Sequence, residues 1–278
     1  MRSSLVAFVG LGFVVTACSV STTDNSITFK TQPEYVDSSQ AAKTSTADWA
    51  GEEITINNDG VNPLTGTGGI EITVDPNATK ITASAVFAAR ADTEAEAQES
   101  IRDAIGTFNL SEGGSFAVSC KHGGTHGTSK SASSGCKLLK VTIPAGTEQQ
   151  PVRLTVGSGI GGIRFSGAVT ASYLKVDENG VGDVDVRVTP VKGAEIIVTG
   201  ENVVSVSVPS DFSAEQVVLN VNEQDDVKAK ARIITTDFPG MESGKPFPAD
   251  GATANAAKTL NVQSKGLLDD YTVTIRRL

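Results

Sequence analysis

The sequence predicts an all-β protein: a single-stranded β-solenoid with coils of about 20–23 residues and one flanking helix. From Glu52 onward, apolar and polar residues alternate with the period of two that is typical of half-buried strands. In the second half, pairs of such segments recur at a nearly constant interval, which is typical of stacked coils. The alternative is a β-sandwich, whose strands recur every ~8–12 residues with the same alternation.

The chain begins with the pattern of an export signal. Arg2 is followed by an apolar run from Leu5 to Val15, which is shorter than the about 20 residues that a membrane-spanning helix needs. Val15-Thr16-Ala17-Cys18 resembles the bacterial lipobox, a motif that implies cleavage before the cysteine and its acylation. We therefore predict a signal peptide over 1–17 and a lipid anchor at Cys18. An ordinary secretory signal with a cysteine near its cleavage site is the alternative.

The segment after Cys18 predicts a flexible tether. Residues 18–48 are rich in Ser, Thr, Asp and Gln, so we expect a spacer between the membrane and a folded domain over 49–278. Within the lipoprotein class, a residue other than Asp after the cysteine implies sorting to the outer membrane, and here this residue is Ser19. The predicted location is thus the outer membrane of a bacterial cell envelope.

One helix interrupts the strands of the first half. Residues 93–105 are rich in Ala and Glu, and Thr93 with Glu96 fits a capping box. Four apolar residues then lie on one helical face: Ala97, Ile101, Ala104 and Ile105. We expect this helix to pack against the flank of the sheet.

The second half of the chain carries the repeat. Two sets of apolar residues recur with spacings of 22 and 23 residues: Val176, Val198 and Val221, and Val186, Val208 and Ala231. After a long Pro- and Gly-containing loop over 239–259, Leu260/Val262 and Tyr271/Val273/Ile275 predict two closing strands. Such strands would protect the exposed edge of the last coil.

Three segments carry a family resemblance: LTVGSGIGGIRFSG, LKVDENGVGDVDVRV and IIVTGENVVSVSVP. With their alternating valines and Asn-Gly or Gly-Asp turns, they resemble the bacterial adhesin-like β-solenoid domains of unknown function. The resemblance covers roughly residues 50–235. It implies the solenoid fold and a setting in exported, lipid-anchored proteins, and it brings no catalytic residues with it.

Two cysteines enclose a loop rich in Gly, Ser and His. Because export permits disulfides and Cys18 would be acylated, Cys120 and Cys136 remain to pair with each other. A metal site built from both cysteines with His122 and His126 is the alternative, although C-x-H-x₃-H-x₉-C is not a common zinc spacing.

Two motifs match ligand-binding patterns in an unsuitable context. Gly157-x-Gly159-x-x-Gly162 has the order of a dinucleotide motif, but a strand rather than a helix is predicted after it. We interpret its glycines as turn residues that supply positive φ. Asp177–Asp183 has the composition of a calcium loop, yet an Asn-Gly turn between strands explains it, so no metal or other cofactor is predicted.

These observations favour a non-catalytic, lipid-anchored envelope protein, displaying a binding or adhesion module from the outer membrane. A formal net charge of −9 disfavours nucleic acid as a partner, which leaves the membrane at Cys18 and an envelope or surface ligand. A structural component facing the periplasm is the alternative. A carbohydrate-active enzyme on a β-helix, with Asp183 and Asp185 in its groove, is a remote one.

Overall fold

A computed structural model shows how the chain folds. It describes residues 18–23, 26–36, 43–58, 69–111, 115–121, 123, 133–159, 161–180, 182–221, 231–251, 253–265 and 270–278. The apolar run of the predicted signal peptide over 1–17 lies outside these residues. Within them, no helix combines the length and the hydrophobicity that crossing a membrane requires.

The first four strands lie in the predicted tether. They are β1 (Cys18–Thr23), β2 (Ser26–Thr31), β3 (Glu34–Val36) and β4 (Lys43–Asp48). Strands β1 and β2 form an antiparallel hairpin, whereas β3 and β4 pair antiparallel with β7 (Lys80–Arg90). The main sheet therefore includes residues before position 49.

The predicted helix is confirmed as α1 (Glu94–Thr107). Thr93 is its N-cap, and the Thr93 hydroxyl accepts a hydrogen bond from the Glu96 amide at 3.3 Å. The four predicted apolar residues are buried, and so is Ser100. The helix packs against β7 and β10 (Ser133–Pro144), as a flank of the sheet.

Most of the remaining strands follow the predicted alternation, with every second side chain buried over most of their length. Two do not: residues 204–208 are all buried, and residues 233–236 are all exposed. Their bounds are β5 (Glu53–Asn58), β6 (Gly69–Asp75), β8 (Asn109–Ser111), β9 (Ser115–Cys120), β11 (Val152–Ser158), β12 (Ile163–Ser166), β13 (Val169–Glu178), β14 (Val184–Gly200), β15 (Val203–Val208), β16 (Ala214–Val221), β17 (Ala231–Thr236), β18 (Ala257–Ser264) and β19 (Asp270–Arg277).

The strands form two arrays that share β14. In the first array the spatial order is β9-β5-β11-β13-β14-β18-β16, and all of these pairs are parallel. In the second array the order is β7-β10-β6-β12-β14-β15-β19-β17, and only β7-β10 among these pairs is antiparallel. The two arrays contain 14 strands; β3 and β4 pair with β7, and β8 pairs with β9. Over the described part of the chain, 17 strands therefore belong to one connected mixed sheet.

The predicted single-stranded β-solenoid is wrong. The strands form one large mixed sheet that does not close, and their spatial order does not follow the chain. Strand β18 lies between β14 and β16, so Val198 lies opposite Val262 and not beside Val221. Alternation reports that one face of a strand is buried, but it does not identify the neighbouring strand. The inward residues of both arrays share one hydrophobic cluster, an arrangement closer to the sandwich considered as the alternative.

The C-terminal prediction is also corrected. Strands β18 and β19 exist, but they lie inside the two arrays and do not close an end. The edge of β16 is instead covered by the Pro-containing segment, since Val217 exchanges backbone hydrogen bonds with Gly244 and Lys245 at 2.8 and 2.9 Å. Beneath this segment, Phe238 is buried and forms an aromatic cluster with Phe212 and Phe247.

Candidate functional site

The two cysteines of the Gly/Ser/His loop form the predicted disulfide. Cys120 ends β9 and Cys136 lies at a bulge of β10, with their Cα atoms 6.1 Å apart and both residues fully buried. His122 and His126 of the alternative metal site lie outside the described residues. The residues that are described contain no group of three or more side chains suited to hold a metal ion.

The Gly157-x-Gly159-x-x-Gly162 segment is a turn between two strands. It joins β11 to β12, which confirms the predicted strand after the motif. None of its three glycines has a positive φ, so our conformational explanation for them is wrong. At Gly162 the reason is close approach, because an added Cβ would lie 2.7 Å from the Asp183 carbonyl oxygen of the next turn.

Neighbouring turns are stacked on one another at this corner of the molecule. The Ile163 amide donates to the Asp183 carbonyl at 2.9 Å, and the Asn179 amide donates to the Ser158 carbonyl at 3.0 Å. Neighbouring turns are therefore joined by backbone hydrogen bonds, as the strands themselves are. We call this region, residues 157–159 and 161–163 with 177–180, 182 and 183, the glycine corner.

A row of buried polar side chains supports the glycine corner from within. Asn58, Ser158, Glu178 and Ser264 end four strands of the first array, and each is at most 3% exposed. Each forms hydrogen bonds with the backbone near a strand end or turn. Ser158 donates to Gly161, and Ser264 donates to the Asn202 carbonyl, both at 2.8 Å. These bonds satisfy polar backbone groups that the turns would otherwise leave unpaired.

Glu178 is the charged member of that row. Its two carboxylate oxygens accept hydrogen bonds from the Gly182 and Glu201 amides, both at 3.2 Å. Burial nevertheless dominates and raises the pKa of Glu178 to about 7, and the nearby Glu201 carboxylate adds to the rise. Burial also raises the pKa of Glu201.

Two side-chain oxygens of the calcium-like segment, from Asp177 and Asn179, contact the ammonium group of Lys265. The Lys265 ammonium lies 3.2 Å from Asp177 Oδ1, 2.9 Å from Asn179 Oδ1 and 3.8 Å from Glu201 Oε1. Lys265 directly follows β18, which is separated from β13 by β14. The segment is therefore a turn held by a lysine that is distant in the chain.

A groove of about 280 Å³ opens on the outer face beside the glycine corner. In one row across β5, β11 and β13, Asn57, Gly157 and Asp177 lie in register. Because Gly157 has no side chain, the row has a notch at its centre. The next row contains Thr55, Thr155 and Lys175. We call this site, with the six residues of these two rows, the Gly157 groove.

A second groove, of about 290 Å³, lies on the other side of the corner and is more highly charged. Glu71 lies between Lys140 and Arg164, and Arg164 lies opposite Asp185 in the register. The Asp183 carboxylate accepts a hydrogen bond from Asn202 at 2.9 Å. The two carboxylates of the remote enzyme hypothesis therefore have polar neighbours: Asp183 accepts a hydrogen bond from Asn202, and Asp185 lies opposite Arg164.

Three residues of the corner were missed from the sequence: Glu178, Glu201 and Lys265. A signal existed for Glu178, because Leu174, Val176 and Glu178 share one phase of the alternation and that phase faces the core. No local signal marks Lys265, which reaches Asp177 through a pairing between distant strands.

Comparisons with known proteins add little to this site. No family model matches the chain, and no curated protein does. Among solved structures, the chain is similar to a "putative cell adhesion protein" from Clostridium sporogenes, with a TM-score of 0.46 and 11% sequence identity. The match covers 86% of this chain and 100% of the clostridial one. The assignments at the corner and the grooves therefore rest on the residues of this chain.

Proposed function

We propose that this protein is a non-catalytic binding module of the bacterial cell envelope, anchored through acylated Cys18 and displayed from the outer membrane. The observation that carries the proposal is the Gly157 groove, a notch of hydroxyl, amide and charged groups on the outer face of a rigid sheet. Side chains held on paired strands keep fixed spacings, so a ligand can bind them without ordering a loop first.

Three further features support an exported binding module. The lipobox-like tetrapeptide before Ser19 supplies the anchor, and the Cys120–Cys136 disulfide fits an oxidising compartment. A net charge of −9 keeps the protein soluble next to anionic surfaces without adhering to them through charge alone. Binding would then depend on particular contacts such as those in the Gly157 groove.

The first test is protease accessibility on intact and permeabilised cells. If the module is displayed on the outer surface, added protease digests the wild-type protein on intact cells. The Cys18→Ala variant, which cannot be acylated, should be lost from the membrane fraction. A periplasmic protein of known location provides the control for an unbroken outer membrane.

Protection from protease until the cells are permeabilised would overturn surface display. The alternative, a structural envelope component facing the periplasm, would then replace adhesion as the explanation. Membrane association of the Cys18→Ala variant equal to wild type would separately overturn the lipid anchor.

A further inference from the structure

Within the proposed binding function, on which this inference rests, we propose that the Gly157 groove binds a carboxylated saccharide. The groove offers hydroxyls from Thr55 and Thr155 and an amide from Asn57. Hydroxyl and amide groups both donate and accept hydrogen bonds, as the hydroxyls of a sugar ring do. A set of this kind suits a ligand with many hydroxyls.

The size of the notch fits one sugar unit of a longer chain. Ligand pockets commonly measure about 300–1,000 Å³, so a groove of about 280 Å³ takes a small unit and not an extended ligand. The groove is open to solvent along the outer face, so the neighbouring units of a glycan can leave it on either side.

Lys175 supplies the preference for a carboxylate. It lies on the outer face of β13, in register with Thr155, and its side chain is exposed. The other lysine near the groove, Lys265, is held by Asp177 and Asn179. Lys175 is therefore placed to pair with a negatively charged group of the ligand, which the acidic surface of the protein would otherwise repel.

Gly157 controls access to the notch. A Cβ added at this position would lie 3.2 Å from Asn57 Oδ1, which is a side-chain and not a backbone atom. Gly157 does not have a positive φ, so a threonine here is compatible with the strand while filling the space. Gly157→Thr is therefore a steric block that should leave the fold intact.

The experiment is a binding titration of the isotope-labelled full chain, followed by NMR. The probes are a hyaluronan tetrasaccharide, a muramic acid-containing disaccharide from peptidoglycan, and chitotetraose as the neutral control. Preference for hyaluronan indicates a ligand on another surface, and preference for the muramic acid compound indicates the cell's own wall; either supports the proposal. The expected result is binding of an acidic probe at least tenfold tighter than of chitotetraose, with shifts at Thr55, Thr155 and Lys175.

Variants connect the binding to the groove. Lys175→Gln should reduce affinity for the acidic probe at least tenfold and leave chitotetraose binding unchanged. Gly157→Thr should abolish binding of both. Arg164→Gln removes a charge from the second groove and should change neither, so it is the matched control.

Shifts confined to another surface, equal binding of acidic and neutral probes, or no effect of Lys175→Gln would each overturn the saccharide assignment. The saccharide assignment would also be overturned if none of the three probes bound at millimolar concentration. If protease still digests the protein on intact cells, that failure rejects the ligand class but not the displayed binding module. Protection on intact cells would reject surface display whatever the titration shows.

Discussion

Glu178 lies in the inward phase of β13, where Leu174 and Val176 contribute to the core. Two backbone amides donate to its carboxylate, but its burial outweighs them and raises its pKa to about 7. The folded protein therefore holds a proton on Glu178 at a pH at which an exposed glutamate has lost it.

We predict that stability falls as pH rises from about 4.5 to about 7. Burial raises the pKa of Glu178 from the ordinary glutamate value of 4.5 to about 7, so the folded state binds the proton more tightly within this window. The stabilisation is complete below the lower value and is lost as pH passes the higher one. At 1.36 kcal/mol per pKa unit, the change is on the order of 3 kcal/mol. Urea unfolding at several pH values measures it.

Glu178→Gln separates this residue from the other titrating groups. A glutamine mimics the protonated acid, so the variant should lose most of the slope between pH 4.5 and 7. Lys265→Met is a useful comparison, because it leaves Glu178 in place and removes the cation that contacts Asp177, Asn179 and Glu201. If Glu178→Gln kept the wild-type dependence of unfolding free energy on pH, the pH dependence would belong to other groups.

Two adjacent residues of β14 test the alternation at single-residue resolution. Val186 is fully buried and lies opposite Val206, whereas Asp185 faces outward beside Arg164. Val186→Asp places an unpaired charge in the core and should cost about 4 kcal/mol or more. Asp185→Asn removes only a half-buried charge on the outer face and should remain within about 0.5 kcal/mol of wild type. Equal urea midpoints for the two variants would contradict the assigned inward and outward faces.

At the level of single elements, the helix could be predicted because its signals are local. Thr93, Glu96 and the apolar face of α1 lie within one short segment, and each acts through neighbours in the chain. The same holds for strand alternation, which gave most of the strands and their buried faces. Local chemistry determines what each segment becomes.

Strand neighbours could not be predicted from the same information. Val198 and Val221 share an alternation phase and a spacing close to one coil, yet Val262 lies between their strands. Any valine-rich strand offers a similar apolar face, so the pattern does not distinguish the correct partner from an incorrect one. The choice of partner for each strand depends on the pairing of all the other strands in the sheet.

Gly162 shows the same limit at a turn. From sequence its glycine suggested an unusual backbone conformation, but the structure requires close approach to Asp183 of another turn. The requirement arises only when the two turns are stacked. The glycine at position 162 is therefore required by a contact with a turn from a different segment of the chain.

At the scale of the whole molecule, the candidate site is a product of the strand order. Thr155 and Lys175 come from strands that are close in the chain, whereas Thr55 comes from a distant strand and joins them only because β5 inserts beside β11. The sequence identified the turn near this groove but not the groove itself. Sites assembled across a sheet depend on non-local pairings, which periodicity does not specify.

The strand order also predicts how the molecule responds to truncation. Strands β18 and β19 pair on both sides, with β14 and β16 in the first array and with β15 and β17 in the second. Removing residues 237–278 should therefore detach β16 and β17 and expose β14 and β15 together. A molecule whose coils stacked in chain order would lose only its last coil.

We expect this truncation to lower the melting temperature by at least about 10 °C, because a loss of several kcal/mol corresponds to shifts of that size in a domain of this length. Deleting residues 19–31 is the control, since β1 and β2 pair with each other and should be removable with little change. Thermal unfolding followed by circular dichroism compares the two deletions. If the C-terminal deletion melted like wild type and kept the amides of β15 and β16 protected from exchange, the interleaved order would be refuted. Chain-ordered stacking would then account better for the stability of the sheet, because only that order makes the last strands dispensable.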